Sequence, residues 1–185
     1  AFVDNGTLPL SGAGLSALAL GISSAADLSA EQVREIRKGH LALTFFLAVQ
    51  PGLLMLPAQA LAGTVPPAWD ERMVAAHREF ASKNGVALLG ASRDVPISNA
   101  GIVQNPALYA QLDEQNIDEE SFLAQLGEIL ALRRELNVAN GKLSRLVSTE
   151  APGVVALFTA LPDGSDLLTL VNFSREVQSV PVPLE

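Results

Sequence analysis

Cysteine is absent from the 185 residues, and histidine occurs only as His40 and His77. The first absence excludes disulfides and thiolate metal sites, and two imidazoles are too few for a multi-histidine site. No metal is therefore expected. A cysteine-free chain fits the reducing cytoplasm, which is the expected location. Cationic charge is scarce as well: 12 Lys and Arg stand against 20 Asp and Glu, and no basic run occurs. A net charge of −8 argues against a nucleic-acid partner, whose phosphates need clustered Lys and Arg. The longest apolar stretch, Leu41 to Val49, is far too short to span a bilayer. The start, Ala1-Phe2-Val3-Asp4, has neither the basic nor the apolar region of a signal peptide, and is expected to be an internal or processed start.

Phosphate-binding loops are missing too. Gly12-Ala13-Gly14 lacks the third glycine and the preceding strand of a dinucleotide fingerprint. There is neither a Gly-x-Ser-x-Gly elbow nor a Gly-Lys-Ser/Thr loop, so neither chemistry is supported. No cofactor is expected. What the chain has in quantity is apolar material, 49% of residues, with only 17% charged. So little charge leaves too few groups to solvate a free-standing surface, and part of that surface is expected to be covered by other protein.

The apolar residues are patterned. A short helix is expected at Ala17-Leu18-Ala19-Leu20, closed by Gly21. A firmer one follows, with Ser29 and Gln32 as a capping box and Glu31 on the positive end of the dipole. Val33, Ile36, His40, Leu43 and Leu47 form one stripe, and beyond His40 the helix is apolar all round until Pro51-Gly52 stops it. Leu53-Leu54-Met55-Leu56 then reads as a strand buried on both faces, of the parallel-sheet type. A long helix leading into such a strand is half of a βαβ unit, and the fold class is α/β.

Further on, a helix is expected over 70–83, with Met73, His77 and Phe80 inward. Residues 86–117 lack periodicity. Another helix follows, capped by Asp118, carrying Phe122, Leu126, Ile129, Leu130 and Arg133, and stopped by Asn140-Gly141. After it the period changes from 3.6 to 2. Val154 to Phe158 and Leu167 to Val171 read as strands joined by a turn containing Pro162-Asp163-Gly164, and Val177 to Val182 as a third, edge strand. The domain boundary is placed at 149/150.

Few residues point to chemistry. The carboxylates Asp113, Glu114, Asp118, Glu119 and Glu120 suggest a cation site, but acidic residues at a solvated helix start are stabilised by the dipole without one. His40 lies on an apolar stripe, so a hydrogen-bonded core histidine is the default. Trp69, the only tryptophan, sits in a proline-rich loop after the proposed strand. A ring there is placed to stack on a sugar, since loops at the C-terminal ends of barrel strands form the active-site face. Ordinary packing accounts for it more readily.

Three stretches in order carry a resemblance. Arg37-Lys38-Gly39-His40 through Gln50-Pro51-Gly52-Leu53-Leu54-Met55-Leu56 resembles the seventh helix and eighth strand of the α-amylase family (glycoside hydrolase family 13) barrel. Phe122 to Leu136, with Ala131-Leu132-Arg133-Arg134 and then Gly141-Lys142-Leu143, is similar to its eighth helix and exit. Residues 154–173, running into Val171-Asn172-Phe173-Ser174, resemble the hairpin of its C-terminal β-domain. Within the family, Phe2-Val3-Asp4-Asn5-Gly6, the Ser29-Ala30-Glu31-Gln32 helix start and Ala107-Leu108-Tyr109 look most like the trehalose synthase (maltose glucosylmutase) group.

The resemblance implies that residues 1–149 are the C-terminal end of a (β/α) barrel, its last helices and closing strand. Residues 150–185 would begin an antiparallel β-sandwich. It implies an α-glucoside substrate and, as partner, the upstream part of the same protein. It also implies retaining chemistry, with two carboxyl groups about 5–5.5 Å apart and a third carboxylate on the sugar. All three would lie upstream, and no residue of this chain is assigned a catalytic role. Where the trehalose synthase group tends to show Ser-Gly-Trp-Asp, this chain has Pro57-Ala58-Gln59-Ala60. Gln59 is then the side chain left to meet a sugar hydroxyl, with Trp69 beside it as the second substrate-binding candidate. The alternative is a degenerate, non-catalytic homologue that binds sugar or protein.

Overall fold

The computed structural model describes residues 11–22, 27–65 and 107–181. They divide between two compact units, one from residues up to His40 with Pro57–Asp118, the other from Leu41–Leu56 with residues from Glu119 on.

In the first unit, helix α1 (Gly12–Ala19) starts at Ser11, whose side chain accepts from the Gly14 N–H at 3.0 Å. It ends in a Schellman motif. Gly21, at φ +77°, donates to Leu18 O, and Ile22 donates to Ala17 O. The stop expected at Gly21 is where the chain leaves the helix. Helix α2 (Ala30–Ala48) opens with the expected capping box: Ser29 N–H donates to Gln32 Oε1 at 2.8 Å, and Gln32 N–H to Ser29 Oγ at 3.2 Å. Ala13, Ala17, Ile36 and Val65 are the buried core here, with Leu20, Ile22, Leu28, Leu108 and Tyr109 packed on it. Burying Ile36 alone is worth about 2 kcal/mol.

The chain continues after Pro57 into a single helical turn, α3 (Ala58–Leu61). Thr64 then pairs with Ala107 in an isolated antiparallel bridge, flanked by Leu108 N–H to Gly63 O and Tyr109 N–H to Ala62 O. A second short helix, α4 (Leu112–Gln115), follows. Buried Gln115 donates through Nε2 to Leu61 O at 3.0 Å and Ala110 O at 2.8 Å, so one amide joins both segments.

In the second unit the inward stripe of α2 shifts from the expected one. Thr44 and Ala48 are buried, while Leu47 is 43% exposed. The helix is thus not enclosed all round as its apolar C-terminal half suggested. Helix α5 (Phe122–Glu135) is capped by Ser121, whose hydroxyl accepts from Ala124 N–H at 3.1 Å. The cap is therefore Ser121 rather than Asp118, since a hydroxyl at the last non-helical position reaches the third helical N–H. The helix also stops a turn before Asn140-Gly141. Asn137 takes φ +50°, a left-handed conformation that asparagine tolerates, and a 3₁₀ turn (Val138–Asn140) follows.

Three strands form one antiparallel sheet in the order β1 (Lys142–Val147), β2 (Val154–Ala160), β3 (Asp166–Asn172). β2 and β3 are the two expected strands, in unbroken register from Val154↔Asn172 to Ala160↔Asp166. The remaining strand differs from expectation. Lys142–Val147 pairs with β2, with a bulge at Ser144, whose hydroxyl donates to Phe158 O at 3.2 Å. Val177–Pro181 pairs with nothing in a ladder. β1 is reached through the short 3₁₀ turn after α5 and takes the edge of β2 opposite β3. The sheet thus begins ahead of residue 150. Its buried face carries Leu157, Thr159, Thr169 and Val171, and Phe122, Leu126 and Val138 are buried in the same unit.

Candidate functional site

The stretch that the sequence singles out begins where α2 ends. Arg133, in the last turn of α5, donates from Nη1 to Ala48 O and to Gln50 O, the latter at 2.7 Å, and from Nη2 to Gly52 O. Gly52 in turn donates its N–H to Ala139 O at 2.9 Å. A guanidinium carries five donors in a rigid fork. Here it satisfies the last carbonyls of α2 and fixes the Pro51-Gly52 turn, where Gly52 holds φ +91°. Residues 53–57 then follow without forming a helix or pairing into a ladder. Leu53 is 86% and Met55 78% exposed, while Leu54 and Leu56 are half-buried. The buried strand expected at 53–56 is therefore an apolar, partly exposed segment without strand neighbours among the described residues.

Of the two sugar-contacting candidates, Gln59 is the second residue of α3, with its side chain outside the described part of the structure. Trp69 lies outside the described residues, as do His77 and the helix expected over 70–83. The acidic cluster divides: Asp113 and Glu114 fill the first turn of α4, and Asp118 to Glu120 precede Ser121, all five exposed. Among the described residues no group of three or more His, Asp or Glu is arranged to hold a metal ion. None of their helices is long and apolar enough to cross a membrane.

The polar groups that do converge are buried. His40, 2% exposed, has Nδ1 3.0 Å from the Tyr109 hydroxyl, and the two rings stack with centroids 6.0 Å apart. His40 is thus the hydrogen-bonded core histidine expected. Burial holds its pKa down at about 4, because the charged imidazolium loses its hydration there. Burial likewise pushes the Tyr109 hydroxyl well above its ordinary range, with the Arg37 charge opposing. Both groups are neutral at pH 7, one donating and one accepting according to the imidazole tautomer. Beside them, Ser11 Oγ donates to Thr64 O.

Backbone carries this cluster as much as side chains do. A Cβ on Gly12 would run into the His40 ring, one on Gly39 into Ser16, and one on Gly63 into the Tyr109 ring. The arrangement joins α1, α2 and the Thr64–Tyr109 corner through a buried His–Tyr pair. Sequence reading missed Tyr109 as partner of His40, and the Arg133 clamp. The Arg133-Arg134 pair in the last turn of a helix was the available signal, but the acceptors of Arg133 lie 81 to 85 residues away.

No family model, no curated protein and no solved structure matches the chain.

Proposed function

We propose that this chain is the C-terminal part of an α-amylase-family glycosidase or transglycosylase acting on α-glucosidic bonds, with trehalose synthase-like enzymes the nearest group. The observation that supports this reading most is the corner held by Arg133. In a (β/α) barrel each strand is followed by a helix that runs back alongside it, so the helix's end returns to the strand's start. The end of α5 meets the start of the Leu53–Leu56 segment in that way: its last turn binds Gln50 and Gly52, and Ala139 just beyond it accepts from Gly52. The segment's exposed Leu53 and Met55 are side chains that the interior layers or outer helices of a completed barrel would cover. The hairpin of β2 and β3 falls within residues 150–185, the range expected for the start of the family's C-terminal β-domain, which supports the reading, although its sheet begins earlier at Lys142.

On this reading the closing strand and last helices hold the barrel shut. Residues 57–69, with Gln59 and Trp69, lie toward the substrate mouth, and the carboxylates that cleave the glycosidic bond belong to the upstream part. The cytoplasm is its location. Proton NMR of maltose incubated with the full-length gene product, and separately with this chain, tests it. Trehalose or glucose is expected with the full-length protein alone. Turnover by neither overturns the assignment to maltose-active enzymes.

One observation favours the degenerate homologue. Where the trehalose synthase group tends to carry Ser-Gly-Trp-Asp, Pro57-Ala58-Gln59-Ala60 enters helix α3, so this stretch contributes neither an indole nor a carboxylate. Calorimetric titration of the full-length protein with maltose separates the two: binding without any product in the NMR spectrum supports the non-catalytic form.

A further inference from the structure

We draw no further inference here: the strongest candidate, the exposed apolar segment Leu53–Leu56 that follows α2, already serves the reading proposed above, and nothing else in the structure shows what covers it.

Discussion

At the scale of single residues, His40 couples the fold to pH. Its folded pKa of about 4 lies below the ordinary 6.5, so the unfolded chain takes up a proton that the folded one refuses. The stabilisation is whole above pH 6.5 and is lost as pH falls toward 4. A gap of 2.5 pH units corresponds to about 3 kcal/mol. Urea unfolding at pH 7 and pH 4 should differ by up to that amount through this group, and His40→Gln should flatten the dependence. An unchanged slope in the variant would show that other groups govern acid stability. The glycines give a second comparison. Gly52→Ala meets only the left-handed backbone, since nothing lies within 4 Å of its added Cβ, and should cost about 1–2 kcal/mol. Gly63→Ala adds a collision with the Tyr109 ring to the same backbone strain. Its Tm should therefore fall further than that of Gly52→Ala, and equal losses would place Tyr109 elsewhere.

At the scale of elements, the Arg133 fork is the joint on which the most depends. Arg133→Ala leaves three carbonyls to find other donors, one of them on buried Ala48. Hydrogen bonds from a charged donor contribute about 1.5–3 kcal/mol each, less than additively, so denaturant unfolding should show a loss of about 3 kcal/mol. Arg133→Lys should recover only part, because an ammonium cannot span the three acceptors with a fixed fork. A loss below about 0.5 kcal/mol would mean that the joint is solvated rather than held.

Sequence made some of these elements plain and concealed others for local reasons. The Ser29–Gln32 box, the Gly21 stop and the Pro51-Gly52 turn are encoded within a few residues, and all three form. β2 and β3 were legible because Pro162-Asp163-Gly164 joins two apolar runs, and Leu161 N–H closes that turn on Ser165 O. β1 was not, since Lys142-Leu143-Ser144-Arg145 is an exposed, bulged edge without clean alternation. Leu53–Leu56 shows the opposite failure. Its composition specifies a strand, but a ladder needs neighbours distant in sequence that no local pattern reveals. As for the sugar-contacting candidates, Gln59 rested on the resemblance, and Trp69 on its ring and its place in a proline-rich loop, a signal that packing explains as well.

At the scale of the whole molecule, the unit containing α5 and the sheet leaves much apolar surface open. Among its described residues, Leu47, Leu53, Met55, Leu143, Leu146, Leu170, Phe173 and Val177 are all more than 40% exposed. Three strands with two open edges seldom stand alone, and apolar surface of this kind drives association. Residues 1–185 produced alone should therefore self-associate in sedimentation velocity, and Leu53→Lys with Met55→Lys should reduce it. A monodisperse monomer with a cooperative melt would count against the barrel-tail reading.

The Arg133 joint also has a meaning in time. Its acceptors precede it by 81 to 85 residues, and a ribosome adds about 5–20 residues per second. The turn after α2 thus leaves the ribosome roughly 4 to 17 s before its clamp exists, at that synthesis rate. During synthesis Leu53 and Met55 emerge on a chain whose corner is not yet set, which gives a nascent-chain chaperone an apolar stretch to shield.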